Sequence, residues 1–477
     1  MSSRRDFLRN SGLVIMGGAA GFMTAEQFVR GAEPSFKLGG TGGPALGGGT
    51  ATGDAKSSPA DAGATEEKQR PTLVTIFLRG GADAMNALVP FGDPNYYKLR
   101  PTIALTEKGK AGAPGVLNPK KDAYWGFNPG FASIMPLFEE GKVVPIVNAG
   151  SPHDTRSHFS AQDYMERGAP GNAKVTSGWL NRYLELSKKP FDAPLRGLSA
   201  MSLLPRALRG DYPVLAGDNR TEHMDLFADL YAPQNMENMA AREGAGPVSG
   251  TRLDARPAHN AEAKLMTADM TRDIITVSGQ NAVSRIKALE KAMGASTDAS
   301  YPGGGLGSQL RTIAKVIKAN VGLEVAQADY GGWDHHRGQG GAEQNGTHTR
   351  MLKQLSDCLA AFYKDLGPRM DKVMVLVMSE FGRTAHENGS NGTDHGRGGF
   401  MLAMGNMLNG GRFYGKHKDM TDLEGGRYQP VHVDYRTVYA ETVTRLFHFD
   451  PFTSNCFPGY KGEASNFLGF CKQMKEA

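Results

Sequence analysis

Cysteine is scarce in this 477-residue sequence, which has only Cys358, Cys456 and Cys471 and no C-x-x-C spacing. A thiolate metal site is therefore not expected, although Cys456 and Cys471 could pair in an oxidising compartment. No apolar run reaches the roughly 18 residues that a membrane-spanning helix needs, so we expect no transmembrane span in the mature protein. Net charge is also low, at +5 overall and about +3 without residues 1–32, which argues against nucleic-acid binding.

The first residues have the pattern of an export signal. Residues 3–8 read SRRDFL, and a mildly apolar run follows from Gly12 to Met23. This pattern predicts a twin-arginine signal peptide over residues 1–32, with cleavage between Ala20 and Ala32. The twin-arginine export machinery is then a partner, and the mature protein is expected in the bacterial periplasm, on the cell surface or secreted. Residues 33–70 are rich in glycine and almost free of large apolar residues, which predicts a flexible linker.

Strand and helix patterns alternate from Pro71 onward. Continuous apolar runs predict buried strands at Thr72–Leu78, Val143–Asn148, Leu323–Ala328, Lys372–Met378 and Phe400–Met404. Apolar spacing predicts helices at Pro129–Gly141, Glu262–Met293, Ser308–Asn320, Gly346–Leu366 and Asp434–Phe447, with a Gly-rich loop at Tyr301–Gly307. The alternation predicts one α/β domain over 71–477, with a doubly wound, mainly parallel sheet flanked by helices. Residues 192–260 have mixed patterns that we interpret as an insertion facing the substrate.

Polar side chains cluster where the predicted strands end. The clusters are RGGADAMN at 79–86, SPHDTRSH at 151–158, DYGGWDHH at 329–336, SEFGRT at 379–384 and TDHG at 393–396. Sites in open α/β sheets form beyond the carboxyl ends of strands. A single aspartate after a strand is usually a helix cap. Carboxylates and imidazoles that recur after several strands instead predict a divalent metal site. Zinc fits this mix of ligands, with magnesium, manganese or calcium as alternatives, and one or two ions are expected.

The segment from His153 to His158 combines an anion-binding and a nucleophilic pattern. Thr155 and Ser157 flank Arg156 where a helix is expected to begin. A helix N-terminus attracts anions, and arginine adds a bidentate donor. A hydroxyl that faces a metal there could be an activated nucleophile, and the alternative interpretation is a capping Thr or Ser.

Five ordered motifs resemble the twin-arginine-exported family known as domain of unknown function 1501. They are RGGAD at 79–83, HDTRSHFSAQDYME at 153–166, GGWDHH at 331–336, SEFGRT at 379–384 and TDHGRGG at 393–399. That family is similar to the alkaline phosphatase and sulfatase superfamily. There, a doubly wound sheet carries two metals and a hydroxyl or modified-cysteine nucleophile. The resemblance therefore implies an alkaline phosphatase-like fold.

The resemblance also implies a role for each cluster. Asp154-Thr155 is similar to the Asp-Ser pair of alkaline phosphatases, which makes Thr155 the nucleophile, with Ser157 as the alternative. The implied metal ligands are Asp83, Asp334, His335, His336, Glu380, Asp394 and His395, with His335 and His336 competing for one place. The implied catalytic residues are Thr155, Arg156 and Ser157. We also predict substrate contacts by Arg79, His153, His158 and Arg383.

Two departures limit the resemblance. Phe381 stands where the superfamily has a histidine, which leaves one metal, a weaker second site, or a substitute ligand such as His153 or His386. No Cys or Ser is followed by x-Pro-Ser-Arg, so a type-I sulfatase is not expected. We therefore expect an exported, metal-dependent hydrolase of phosphate or sulfate esters with a threonine nucleophile and an anionic ester substrate. The alternative is a non-catalytic envelope or surface binding protein with a degenerate site.

Overall fold

The computed structural model describes residues 14–15, 69–108, 115–188, 193, 195–217, 284–297 without 286 and 290, 299–341 and 346–472. Most of the predicted signal peptide, linker and insertion lies outside these residues. The same is true of the predicted helix Glu262–Met293 before residue 284.

One large sheet organises the described residues. Its nine strands have the order β1-β7-β6-β8-β2-β9-β10-β5-β11. The strands are β1 (Val14–Ile15), β2 (Thr72–Arg79), β5 (Val143–Gly150), β6 (Gly197–Ser199), β7 (Leu215–Ala216), β8 (Val325–Gly331), β9 (Val373–Ser379), β10 (Gly399–Met404) and β11 (Val433–Asp434). A separate antiparallel pair consists of β3 (Leu88–Val89) and β4 (Gly126–Phe127). Cleavage of the predicted signal peptide would remove β1.

Strand direction places the polar clusters at one edge of this sheet. Strand β2 is parallel to both β8 and β9, whereas β10 is antiparallel to both β9 and β5. Strand β5 consequently runs in the same direction as β9, and only the amino end of β10 lies at that edge. The segments after β2, β5, β8 and β9 and the segment before β10 therefore meet there.

Helices cover both faces of the sheet. They are α1 (Ala84–Ala87), α2 (Pro94–Leu99), α3 (Met135–Glu139), α4 (His158–Arg167), α5 (Trp179–Leu186), α6 (Gly305–Lys318), α7 (Thr347–Leu366) and α8 (Tyr435–Phe447). Short 3-10 helices lie at Pro129–Ile134, Arg206–Leu208, Gly367–Asp371 and Ala464–Asn466. The predicted helix at 129–141 is thus a 3-10 turn followed by α3, and Asp434 caps α8 from an extended conformation rather than joining it.

Alternating side chains of β2 divide the core into two layers. Ile76 and Leu78 pack in the cluster that contains Leu310 of α6 and Leu355 of α7. Phe77 packs on the opposite face in the cluster that contains Trp179, Leu180 and Val438 of α5 and α8. Because both faces are covered, the strand is buried from Thr72 to Leu78, and most of its side chains are apolar. The predicted doubly wound, mainly parallel sheet flanked by helices is confirmed.

All three cysteines are buried and free, so Cys456 and Cys471 are unpaired in this structure. Among the described residues, no helix combines the length and apolar character needed to cross a membrane.

Candidate metal centre

Three imidazoles surround the carboxylate of Asp334 at the edge where the polar clusters meet. His158 is the first residue of α4, His336 follows β8, and His395 precedes β10. Ligand atoms of His158, Asp334 and His395 all lie within 4.8 Å of one another. The separations from the Asp334 carboxylate are 3.4 Å to His158 Nε2, 3.0 Å to His336 Nε2 and 3.2 Å to His395 Nε2. The Nε2 atoms of His336 and His395 are 3.0 Å apart.

The other nitrogen of each ring faces an oxygen. The pairs are His158 Nδ1 with Glu380 Oε1 at 2.7 Å, His336 Nδ1 with Asp394 Oδ1 at 3.1 Å, and His395 Nδ1 with the Arg156 carbonyl at 2.8 Å. A carbonyl or an ionised carboxylate can only accept, so each Nδ1 carries the proton. With Nδ1 as the donor, the Nε2 atom of each ring is the one that faces Asp334. This arrangement is typical of metal-binding histidines, whose second nitrogen is anchored by an acceptor.

Arg383 holds Asp334 in its ionised form. Burial alone would raise the pKa of Asp334, but the Arg383 guanidinium and the nearby imidazoles outweigh it and lower the pKa to about 2. The guanidinium donates to Asp334 Oδ1 at 2.7 Å and is itself fully buried. The guanidinium also donates to the carbonyls of Gly80, Gly81, Trp333 and Thr393. The predicted substrate contact by Arg383 is not supported, because this side chain is buried and links the loops beneath the site.

Ligand atoms of His158, Asp334 and His395 are close enough together to hold one divalent metal, and His336 Nε2 lies 3.0 Å from both Asp334 and His395. Zinc–ligand bonds of about 2.0–2.1 Å in a tetrahedron separate the ligand atoms by about 3.3 Å, close to the separations seen around Asp334. His158 Nε2 is buried without a hydrogen-bond partner in the protein, a state that a metal would explain. The sequence predicts a substrate contact for His158, and the structure places its ring among these ligand atoms.

Glu380 and Asp394, two of the implied ligands, instead stand behind the histidines. Glu380 is fully buried and accepts hydrogen bonds from the Gly80 N–H at 2.9 Å, Gln162 Nε2 at 2.9 Å and His158. Burial would raise the pKa of Glu380, but the bonds from His158 and Gln162 outweigh it and lower the pKa. Asp394 accepts a hydrogen bond from Asn388 Nδ2 at 3.2 Å in addition to the one from His336. Both carboxylates thus orient imidazoles.

The loop after β2 reaches this site because Gly80 has no side chain. Its φ is +123°, and a Cβ there would lie 2.6 Å from the backbone nitrogen of Asp334. Glycine tolerates this conformation and this close approach. The Gly80 N–H can therefore donate to Glu380 while the loop contacts the segment after β8.

His335 and Asp83 do not join the cluster. The His335 ring turns towards the interior, where its centroid lies 5.7 Å from that of His348 and 6.2 Å from that of Trp333. Of the two adjacent histidines, His336 is therefore the one that faces Asp334. Asp83 is buried in a bidentate ion pair with Arg100 at 2.6 and 2.9 Å, and it also accepts from Gln339 Nε2 at 2.5 Å. The ligand role implied for Asp83 is corrected, because Arg100 already neutralises it.

Replacing Asp83 with alanine is expected to lower the free energy of unfolding by about 3–5 kcal/mol, because it leaves Arg100 buried without its partner. Zinc content of the folded protein should not change. Burial opposes ionisation of Asp83, but Arg100 outweighs burial and lowers its pKa. Its stabilising contribution is therefore present above the ordinary carboxyl pKa of about 4 and is lost as pH falls through the lowered value.

Urea denaturation at several pH values measures this effect. Asp154→Ala is the control, since the Asp154 side chain is 78% exposed and should change stability by less than about 0.5 kcal/mol. Loss of zinc from Asp83→Ala without loss of stability would identify Asp83 as a ligand after all.

The segment before α4 forms turns rather than the expected first helical turn. His153 Nδ1 accepts the Thr155 N–H at 3.1 Å, and Thr155 Oγ1 accepts the Ser157 N–H at 3.3 Å. The His153 ring packs against Tyr164, with centroids 4.9 Å apart, so its described contacts lie away from Asp334. Helix α4 begins only at His158, with Ser157 as an N-cap that makes no side-chain cap bond.

Two arginines that were interpreted as anion contacts have different environments. Arg156 is exposed and stacks 4.8 Å over the Tyr428 ring, and no carboxylate among the described residues pairs with it. Arg79 is bound by Glu166 and Asp329, each at 2.8 Å. Arg156 is thus open to an anion, whereas the implied substrate contact by Arg79 is corrected.

Sequence reasoning missed Arg100, Gln162 and Gln339, the partners of Asp83 and Glu380. A signal existed for Gln162, since it lies four residues after His158 and so on the same face of one helix.

Comparisons with known proteins give a family and a weak structural likeness. The family model described as "Protein of unknown function (DUF1501)" matches residues 141–449. No curated protein matches the chain. Among solved structures, wild-type alkaline phosphatase PafA and a quadruple mutant of it are similar at 10% identity and a TM-score of 0.21. Each match covers 67% of this chain and 64% of the phosphatase, so the chain spans a little under two thirds of the phosphatase length.

Proposed function

The chain belongs to DUF1501, a family of proteins of unknown function, so we propose its function from its own side chains: a metal-dependent hydrolase of phosphate or sulfate esters. One observation carries the proposal. Three imidazole Nε2 atoms face the ionised carboxylate of Asp334, and each ring is held by an acceptor on its Nδ1.

We assign His158, His336, His395 and Asp334 as ligands of one divalent ion. Three nitrogens and one oxygen suit zinc better than magnesium, manganese or calcium, which favour oxygen. A second ion is not part of the proposal, because Asp83 is paired with Arg100 and Glu380 is occupied by three donors. When bound, the ion would supply Lewis-acid polarisation of an ester oxygen.

Arg156 is proposed to bind the anionic group of the substrate. Its guanidinium is exposed and lies over Tyr428, and no carboxylate in the described part of the chain competes for bidentate recognition of a phosphate or sulfate. Its own carbonyl accepts from His395 at 2.8 Å, so the residue directly adjoins the cluster. The bound anion would therefore lie next to the proposed ligands.

Thr155 is proposed as the nucleophile, with Ser157 as the alternative. Thr155 precedes Arg156 and is half-buried in the turn next to the cluster, whereas Ser157 is exposed. A threonine hydroxyl needs an adjacent base or a metal to lose its proton, and the proposed divalent ion would supply that help here. His153 is a poor base for this step, since its Nδ1 already accepts the Thr155 N–H and its neutral ring then carries the proton on Nε2.

Elemental analysis of the exported protein, combined with a screen of aryl phosphate, phosphodiester and sulfate esters, tests the proposal. We expect about one zinc per chain and hydrolysis of at least one ester class. A chelator should abolish that activity and added zinc should restore it. A fully loaded protein that hydrolyses none of the three classes would contradict it.

The second candidate is a non-catalytic envelope or surface binding protein. Phe381 favours it, because its ring packs 4.9 Å from the His158 ring and 5.0 Å from the His395 ring, at the position where phosphatases have a histidine. A zinc content near zero in the purified protein, with no ester hydrolysis, would support this function instead.

Export by the twin-arginine route remains a prediction. Replacing Arg4 and Arg5 together with lysine should leave unprocessed precursor in the cytoplasm, because the receptor reads the paired guanidinium groups. Cell fractionation with an antibody to the mature domain measures it, and Arg9→Lys is the matched control. Normal processing of the double variant would contradict the prediction.

A further inference from the structure

We propose that Arg79 and Gln162 are positioning residues that fix the orientation and the tautomer of His158 through Glu380. The inference rests on the proposed metal centre. It gives Arg79 a role in the site although the side chain is closed to substrate.

Arg79 has no free donor. A guanidinium carries five N–H donors and no acceptor. Two of them bind Asp329 at 2.8 and 3.1 Å, two bind Glu166 at 2.8 and 3.1 Å, and one binds Gln162 Oε1 at 3.2 Å. Its position at the end of β2 is therefore fixed from three sides.

This arginine determines which way the Gln162 amide points. Because Arg79 can only donate, the atom of Gln162 that faces it must be the carbonyl oxygen Oε1. The amide nitrogen Nε2 then points to Glu380 Oε1, at 2.9 Å. Gln162 thus accepts a hydrogen bond from Arg79 with its carbonyl oxygen and donates one to Glu380 with its amide nitrogen.

Glu380 transmits this orientation to His158. Its Oε1 accepts from the Gly80 N–H, from Gln162 Nε2 and from His158 Nδ1, and its Oε2 accepts from Ser379 Oγ at 3.1 Å. With donors on its oxygens, the carboxylate is held in place as the acceptor of the His158 ring N–H. The proton stays on Nδ1, so Nε2 is left free to bind a metal.

The experiment compares Gln162→Met with Gln309→Met. Gln309 is a matched control, because it also makes two hydrogen bonds to this network, to the backbone carbonyl and N–H of Asp329 at 3.1 and 2.9 Å, without contacting Glu380. Zinc affinity is measured by competition with a chromophoric chelator, and stability by urea denaturation. The tautomer of His158 is read from ¹⁵N NMR of the metal-free, histidine-labelled protein.

Gln162→Met is expected to bind zinc about 10–100-fold more weakly, the usual effect of removing a residue behind a ligand. Gln309→Met should stay within about threefold of the native protein at a similar loss of stability. The NMR signal should show the Nδ1 proton in the native protein and a mixture of tautomers in Gln162→Met. Equal zinc affinities for both variants, or an unchanged His158 tautomer, would overturn the inference. If the native protein binds no zinc, the proposed function fails, and the NMR comparison alone then decides the positioning role.

Discussion

Replacing His336 with alanine is expected to weaken zinc binding by more than about 100-fold, whereas the same change at the adjacent His335 should leave the affinity within a few-fold. His336 Nε2 lies 3.0 Å from both Asp334 and His395. The His335 ring is buried against Trp333 and His348 instead. Removing a ligand should cost more than removing one of the residues behind it.

The effect on stability should be the reverse, with His335→Ala destabilising the protein more than His336→Ala. The His336 side chain is 41% exposed, so its loss should change the free energy of unfolding by less than about 0.5 kcal/mol. His335→Ala leaves a cavity in the interior and should destabilise the protein by about 2 kcal/mol or more. Chelator competition and urea denaturation measure the two effects. Zinc loss from His335→Ala alone would mean that the two histidines have been assigned the wrong way round.

Thr155→Ala is expected to reduce the kcat of ester hydrolysis by about 10³-fold or more, because it removes the proposed nucleophile. Zinc affinity and stability should change little, since the hydroxyl accepts only a weak bond from the Ser157 N–H at 3.3 Å. The measurement is steady-state hydrolysis of the ester class found by the screen, at full zinc loading.

Ser157→Ala is the matched control for this prediction and should retain activity. Full activity in Thr155→Ala with loss in Ser157→Ala would show that the assignment is wrong by two residues. Full activity in both variants would mean that neither hydroxyl attacks and that a water molecule does.

Much of the fold could be predicted because burial on both faces leaves a simple pattern. Strands β2 and β9 are mostly apolar and almost fully buried, and the sequence predicts their ends to within one residue. The direction of β10 could not be predicted, since an apolar run is the same in a parallel and an antiparallel strand. The start of α4 was misplaced because His153 and Thr155 bind backbone N–H groups two residues ahead and so favour turns over helix.

The candidate site could be predicted only in part. Spacing after strands identifies the residues that reach the sheet edge, and Asp334, His336 and His395 do meet there. This spacing does not reveal which basic side chain pairs with each carboxylate in the folded protein. Arg100 is 17 residues from Asp83, and Arg383 is 49 residues from Asp334. Both pairings depend on the folded chain, which is why Asp83 seemed a ligand and Arg383 a substrate contact.

The most direct test of the central claim is a crystal structure of the zinc-loaded protein with anomalous scattering measured at the zinc edge. The account predicts one strong peak about 2.0–2.2 Å from the Nε2 atoms of His158, His336 and His395 and from a carboxylate oxygen of Asp334. A peak beside His335 and His348, or no peak in a crystal soaked in excess zinc, would contradict it.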